Sequence, residues 1–130
     1  MLEDCENCSP CLNNCPTGAI TSQRFLLHAE RCIPFHNERP VDVPFPAWID
    51  SSWHDCPVGC MRCQSVCPQN IDFLSWIEPG AEFSEEETSL LLQLVSLDQL
   101  LTATVKKMER IDMIDLLDVF PRNLRVFLKE

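Results

Sequence analysis

The sequence predicts a small α+β fold: a loop-rich domain over residues 1–80, followed by a helical C-terminal extension over residues 81–130. Three observations lead there. Seven of the nine cysteines in this 130-residue chain fall into two short runs of matching spacing. Between the runs lies a proline-rich stretch that suits neither a helix nor a central strand. After Cys67 there is no further cysteine, and leucines recur at helical spacing instead.

The cysteine runs come first in the chain and dominate the reading. Cys5, Cys8, Cys11 and Cys15 spell CxxCxxCxxxCP and run into Pro16; Cys60, Cys63 and Cys67 spell CxxCxxxCP and run into Pro68. Thiolates three residues apart on a tight loop turn toward one inorganic centre, and the cysteine before proline serves the neighbouring centre. The pattern calls for two [4Fe-4S] clusters. One would take Cys5, Cys8, Cys11 and Cys67; the other would take Cys15, Cys60, Cys63 and one more thiolate. A regular repeat would place that thiolate at position 57, which is Pro57, so Cys32 and Cys56 both stand as candidates. A site of eight thiolates scarcely exists in an unfolded chain, so cluster assembly and folding should be one process and the apoprotein largely disordered.

The remaining elements follow in order. Residues 20–27 are expected to form a short hairpin. Pro34, Pro40, Pro44, Pro46 and Pro57 make residues 33–57 an irregular wrap, since each removes a backbone donor and restricts its predecessor. Phe35, Phe45, Trp48 and Trp53 within it are expected to cover a cluster. Residues 71–77 make a short helix that Glu78, Pro79 and Gly80 stop. Ser84 with Glu87 forms a capping box ahead of Leu90, Leu91, Leu94 and Val95 on one helical face. Ser96 with Gln99 repeats that signal before Leu100, Leu101, Val105 and Met108. A short helix over residues 112–118 and a last one opened by Pro121, carrying Leu124, Phe127 and Leu128, complete the extension. These apolar residues are packing residues and are assigned no chemistry.

The net charge of −10 is spread over both parts: residues 1–77 hold nine acids and four Lys/Arg, residues 78–130 eleven and six. Such a chain is a poor ligand for nucleic acid. A redox partner protein or domain with a basic docking surface fits better. No apolar run is long enough to span a bilayer, and the N-terminal MLEDCENC has no basic or apolar signal region. With an odd cysteine count, this points to a reducing, cytoplasmic setting and away from disulfides.

Other chemistries fit less well. Zinc takes CxxC pairs tetrahedrally, but has no use for the third evenly spaced cysteine or the repeated CP ending. His28, His36 and His54 are single and read as surface or hydrogen-bonded residues. Asp55 has no carboxylate partner. Gly18, Gly59 and Gly80, the only glycines, make no phosphate cradle. No catalytic residue is assigned, and an enzyme acting alone is not expected. Gln64 and the amides around Gly59 are the candidates for tuning a cluster by hydrogen bonds.

The strings CENCSPCLNNCPTGAI, ERCI and GCMRCQSVCPQN, over residues 5–70, resemble the double [4Fe-4S], ferredoxin-type domain of epoxyqueuosine reductases and cobalamin-dependent reductive dehalogenase-like proteins. FSEEETSLLL and FPRNL are similar to the C-terminal extension of some of the latter. The resemblance implies a ferredoxin-like two-cluster domain and electron transfer, with a corrinoid-binding partner. It also implies that Arg31-Cys32 supplies the fourth ligand of the second cluster and that Cys56 is spare. Enzymes of this kind carry a larger corrinoid- and substrate-binding region ahead of the clusters, whereas this chain begins four residues before Cys5. The expectation is therefore a conducting module without a reaction chamber. A subunit or C-terminal fragment of such a reductase, and a cluster-based oxygen or iron sensor, are the alternatives.

Overall fold

A computed structural model describes residues 3–23, 26–76 and 78–129. Among these residues there is no β-strand, which corrects the α+β expectation: the architecture is short helices joined by bends and turns. The hairpin expected over residues 20–27 includes Arg24 and Phe25, which lie outside the described residues; those on either side form bends. The physical reason is local: the two longest runs without proline or cysteine, residues 17–31 and 80–120, lack sustained apolar alternation, and the second carries helical capping signals instead.

Among the described residues up to position 80, the α-helices are α1 (Pro10–Asn14), α2 (Ile33–Asn37) and α3 (Arg62–Ser65). Proline stands in the first turn of α1 and α2, where its missing N–H costs nothing. Cys15 ends α1, Cys32 caps the start of α2, and Cys63 lies within α3. The helix expected over residues 71–77 is displaced: a 3₁₀ segment, Pro68–Phe73, starts at the proline after Cys67 and stops at Leu74. Ile77 lies outside the described residues.

The extension contains α4 (Glu85–Leu91), α5 (Thr102–Arg110) and α6 (Phe120–Leu128), with 3₁₀ turns at Leu97–Gln99 and Ile114–Leu116 between them. Both capping signals operate. The Glu87 backbone N–H donates to Ser84 Oγ at 3.2 Å while the Glu87 carboxylate accepts from the Ser84 N–H at 2.7 Å. Gln99 Oε1 accepts from both the N–H and the hydroxyl of Ser96 at 2.9 Å, but it starts only a 3₁₀ turn, and α5 opens three residues later. Glu87 is buried and does more than cap: it accepts from Thr104 Oγ1 at 3.0 Å and from Lys107 Nζ at 2.6 Å, tying α4 to α5. These bonds, Lys107 foremost, hold its carboxyl at about 2, well below the ordinary range.

Leu91, Leu100, Met108, Phe120 and Leu124 form the core of the extension, with Val58 from the cysteine-rich half packed against it. Leu94, expected on the inner face, is 69% exposed because α4 ends at Leu91. In contrast, the only buried apolar residues among the described part of residues 1–80 are Ala19 and Ile33. The accessible surface, 8795 Å², exceeds the roughly 7000 Å² usual for a folded chain of this mass. Apolar burial alone therefore gives the first half little to fold around.

Candidate metal centre

All nine cysteines are thiols of intermediate exposure. Cys15, Cys32, Cys60 and Cys63, from three separate stretches of chain, line one cavity of about 220 Å³. The space is several times the roughly 30 Å³ share of one water molecule, so it suits a polyatomic group. Among the described residues, no three His, Cys, Asp or Glu side chains converge tightly enough to hold a single metal ion. Donors arranged around a volume rather than at a point match a thiolate-bound cluster better than tetrahedral zinc.

Local bonds explain how the four thiols arrive. Arg31, beside Cys32, donates its Nε to the Thr17 carbonyl at 2.7 Å and lies over Trp48, bracing the Cys32 segment against the turn after Cys15. Asn14 Nδ2 donates to the Arg62 carbonyl at 2.8 Å, joining α1 to α3. Gly18 takes φ +65°, a left-handed turn that lets residues 17–20 curl back over Cys15. Pro16, Ala19, Ile20, Leu27 and Ile33 supply the apolar wall of the cavity. The aromatics expected as cover do not line this cavity. Phe35 and Trp48 pack edge-on against His36, and Phe45 against His54; none of Phe35, Phe45, Trp48 and Trp53 lines the cavity.

The surroundings differ from thiol to thiol. Burial opposes the thiolate of Cys15, yet its pKa falls, because the Thr17 hydroxyl and the amides of Ile20, Thr17 and Ala19 bond to the sulfur. Cys32 shifts upward through burial and through the charges of Cys60, Cys15 and Cys63. That mutual repulsion is what a cationic iron centre would relieve. Cys60 also shifts upward, mainly by burial, with the Arg62 amide working the other way. Gln64 Nε2 lies 3.7 Å from Cys63 Sγ and is oriented by Asn70 Nδ2, which donates to Gln64 Oε1 at 2.6 Å. Gln64 thus donates to a cavity sulfur, whereas the Gly59 N–H donates to Asn37 Oδ1 instead.

Cys56 does not line this cavity, although its thiol is close enough to Cys60 for that charge to help raise its pKa. It lines a second, apolar cavity with Pro57, Val58, Phe83, Leu91, Phe120 and Phe127. Its thiol lies 3.5 Å from Asp55 Oδ1, and burial together with the Asp55 charge pushes its pKa up to about 12. For Cys5, Cys8, Cys11 and Cys67 the structure shows the chain segments drawn together: Gln69 Nε2 donates to Asp4 Oδ2 at 2.9 Å, which brings the loop before Cys5 to the loop after Cys67.

The histidines correct part of the expectation. His28 is exposed and pairs with Glu30 at 3.3 Å, as a surface residue should. His36 is buried, its Nε2 bonded to the Glu30 carbonyl at 2.8 Å. His54 is buried with neither ring nitrogen hydrogen-bonded. None of the three lines the thiol cavity.

Four thiols around one cavity, with few other donors beside them, define a cysteine-rich site of the kind that holds a metal cluster. More narrowly, residues 4–70 match the family model of the 4Fe-4S double cluster binding domain, and the chain belongs to that family. It binds two [4Fe-4S] clusters. It is 43% identical over 68 residues to an epoxyqueuosine reductase of Synechococcus sp. (strain RCC307), covering 51% of this chain and 19% of that protein. An epoxyqueuosine reductase of Bacillus subtilis (strain 168) is 39% identical over 72 residues, 53% of this chain and 17% of its own length. A Geobacillus stearothermophilus protein described as "uncharacterized protein in gldA 3'region" is 31% identical over 100 residues, 72% of this chain and 44% of its own. The chain therefore spans about a fifth of the reductases it matches. No solved structure matches it. Among the described residues no helix is long and apolar enough to cross a membrane.

Proposed function

We propose that this chain is an electron-transfer module: its two clusters pass single electrons to a partner reductase, with a corrinoid-binding protein or domain the favoured partner. The observation that carries the reading is the convergence of Cys15, Cys32, Cys60 and Cys63 on one cavity. In this reading those four hold the second cluster, while Cys5, Cys8, Cys11 and Cys67 hold the first. A [4Fe-4S] cluster supplies reversible one-electron chemistry whose potential follows charge, hydrogen bonds to sulfur and exposure. The chain's own part is to hold the thiolates, donate to Cys15 through Thr17 and to Cys63 through Gln64, and exclude water with Ala19 and Ile33.

The face for the partner lies beside Cys67. Ile71, Phe73 and Trp76 are 62%, 54% and 77% exposed, and the Phe73 and Trp76 rings meet edge-on at 5.1 Å. Exposed Asp72 and Glu78 flank them, and no Lys or Arg occurs from Cys63 to Val105. A partner presenting cations around an apolar recess complements that surface.

Paired variants test the ligand set after anaerobic reconstitution. Cys32→Ser should lose about half of the iron and one of two paramagnetic signals, and Cys56→Ser should keep about eight irons per chain. The reverse pattern would transfer the fourth ligand to Cys56.

The similarity to epoxyqueuosine reductases supports a second reading, in which the chain is a subunit or C-terminal piece of such an oxidoreductase. Turnover on adding a corrinoid protein, abolished by Cys56→Ser with both clusters intact, would favour it.

A further inference from the structure

Gly59 precedes Cys60 and takes φ +92°, a conformation that side-chain-bearing residues rarely adopt. Its two backbone groups are both held by one side chain. Asn37 Nδ2 donates to the Gly59 carbonyl at 3.0 Å, and Asn37 Oδ1 accepts the Gly59 N–H at 3.4 Å. Asn37 is fully buried and is the last residue of α2, the helix that Cys32 caps. One carboxamide therefore spans the segment carrying Cys32 and the segment carrying Cys60, two thiols of the same cavity.

Asn37 is itself held from the other end of the chain. Its carbonyl accepts from Asn123 Nδ2 at 2.7 Å and from Arg122 Nη2 at 3.0 Å, both on α6. Arg122 donates further to the carbonyls of His36, Pro40 and Val43 at 3.0, 2.9 and 2.6 Å, while its guanidinium covers the Phe45 ring at 4.6 Å. Asn123 is fully buried. If α6 needed only to bury apolar surface, leucine would serve at position 123 at no desolvation cost. A buried amide and a forked guanidinium aimed at four backbone carbonyls instead fix the position of α2, since directional bonds resist sliding as apolar contacts do not.

We propose that α6 is a clasp on the second cluster: Arg122 and Asn123 act through Asn37 and Gly59 as positioning residues for Cys32 and Cys60. The C-terminal extension is then part of the metal centre's support and not a separate appendage. This rests on the assignment of Cys32 to the second cluster.

The test uses the full chain, anaerobically reconstituted, with Asn123→Ala and the milder Arg122→Lys, which keeps the charge but loses the planar fork. Cys32→Ser run alongside identifies which paramagnetic signal belongs to the second cluster. Loss of a buried hydrogen bond is worth about a tenfold change in an equilibrium, so the second cluster should leave to an iron chelator about ten times faster. Its signal should also shift in shape or midpoint potential, with the first cluster unaltered and the far-ultraviolet helical signal retained. Unchanged release and spectrum in both variants, or equal loss of both clusters, overturns the clasp. If Cys32→Ser costs no cluster, the ligand assignment fails first and the clasp with it.

Discussion

Met108→Ala removes the only side chain of the extension's central cluster that is 0% exposed, where α5 meets Leu91, Leu100, Phe120 and Leu124. Deleting a buried methionine costs about 2–5 kcal/mol in lost transfer energy plus cavity. Val105, Ile111 and Met113 around it are only partly buried, and a looser rim can close in on the void. The value expected is therefore near the lower middle of that range, about 3 kcal/mol. Global unfolding releases clusters and is irreversible, so a melting temperature would not measure this. Hydrogen exchange of α5 and α6 amides in the loaded protein does, because local opening leaves the cysteine-rich half intact. A loss of 3 kcal/mol accelerates exchange through that opening about 150-fold. An increase below about fivefold, under 1 kcal/mol, would refute the packing argument.

Two further outcomes follow from particular side chains. Burial lowers the pKa of His54 from 6.5, with the Arg122 charge acting in the same direction and Asp55 opposing it. The folded state thus binds fewer protons than the unfolded one just below pH 6.5, and stability should fall as pH drops into that window; His54→Leu should flatten the dependence of thermal half-life on pH, and an unchanged slope would contradict the assignment. On the face beside Cys67, Asp72→Lys and Trp76→Ala should each slow reduction of a basic acceptor protein such as cytochrome c at low salt more than Asp115→Lys on the extension does, and equal effects would remove that face as the docking site.

Much of the metal centre was legible from spacing, because thiol positions relative to proline are set by what a cluster's geometry requires of a short loop. The division of labour between Cys32 and Cys56 was not. Spacing favours neither; in the folded chain Cys32 lines the thiol cavity and Cys56 a second, apolar one, and the choice of ligand rests on the Cys32→Ser and Cys56→Ser pair. Both capping boxes and Pro121 at the start of α6 were readable, since these are local rules. Leu94 was misread because helical periodicity does not show where a helix stops. The hairpin expected over residues 20–27 rests on sparse apolar alternation, and part of it lies outside the described residues. Arg122 and Asn123 sit in the FPRNL string, but neither they nor Asn37 showed their role: their partners are backbone carbonyls and amides up to 86 residues away, and a bond to backbone requires no particular residue type at the other end.

Two iron-sulfur cubes wrapped by thiolates from distant stretches, with the first half of the chain folded around them, would set a definite metal content. Iron and acid-labile sulfide counted per chain after anaerobic reconstitution, read with the absorbance near 400 nm, test it most directly. About eight of each is the expected result. Two zinc ions per chain with no sulfide, in material that is colourless and folded, would contradict it.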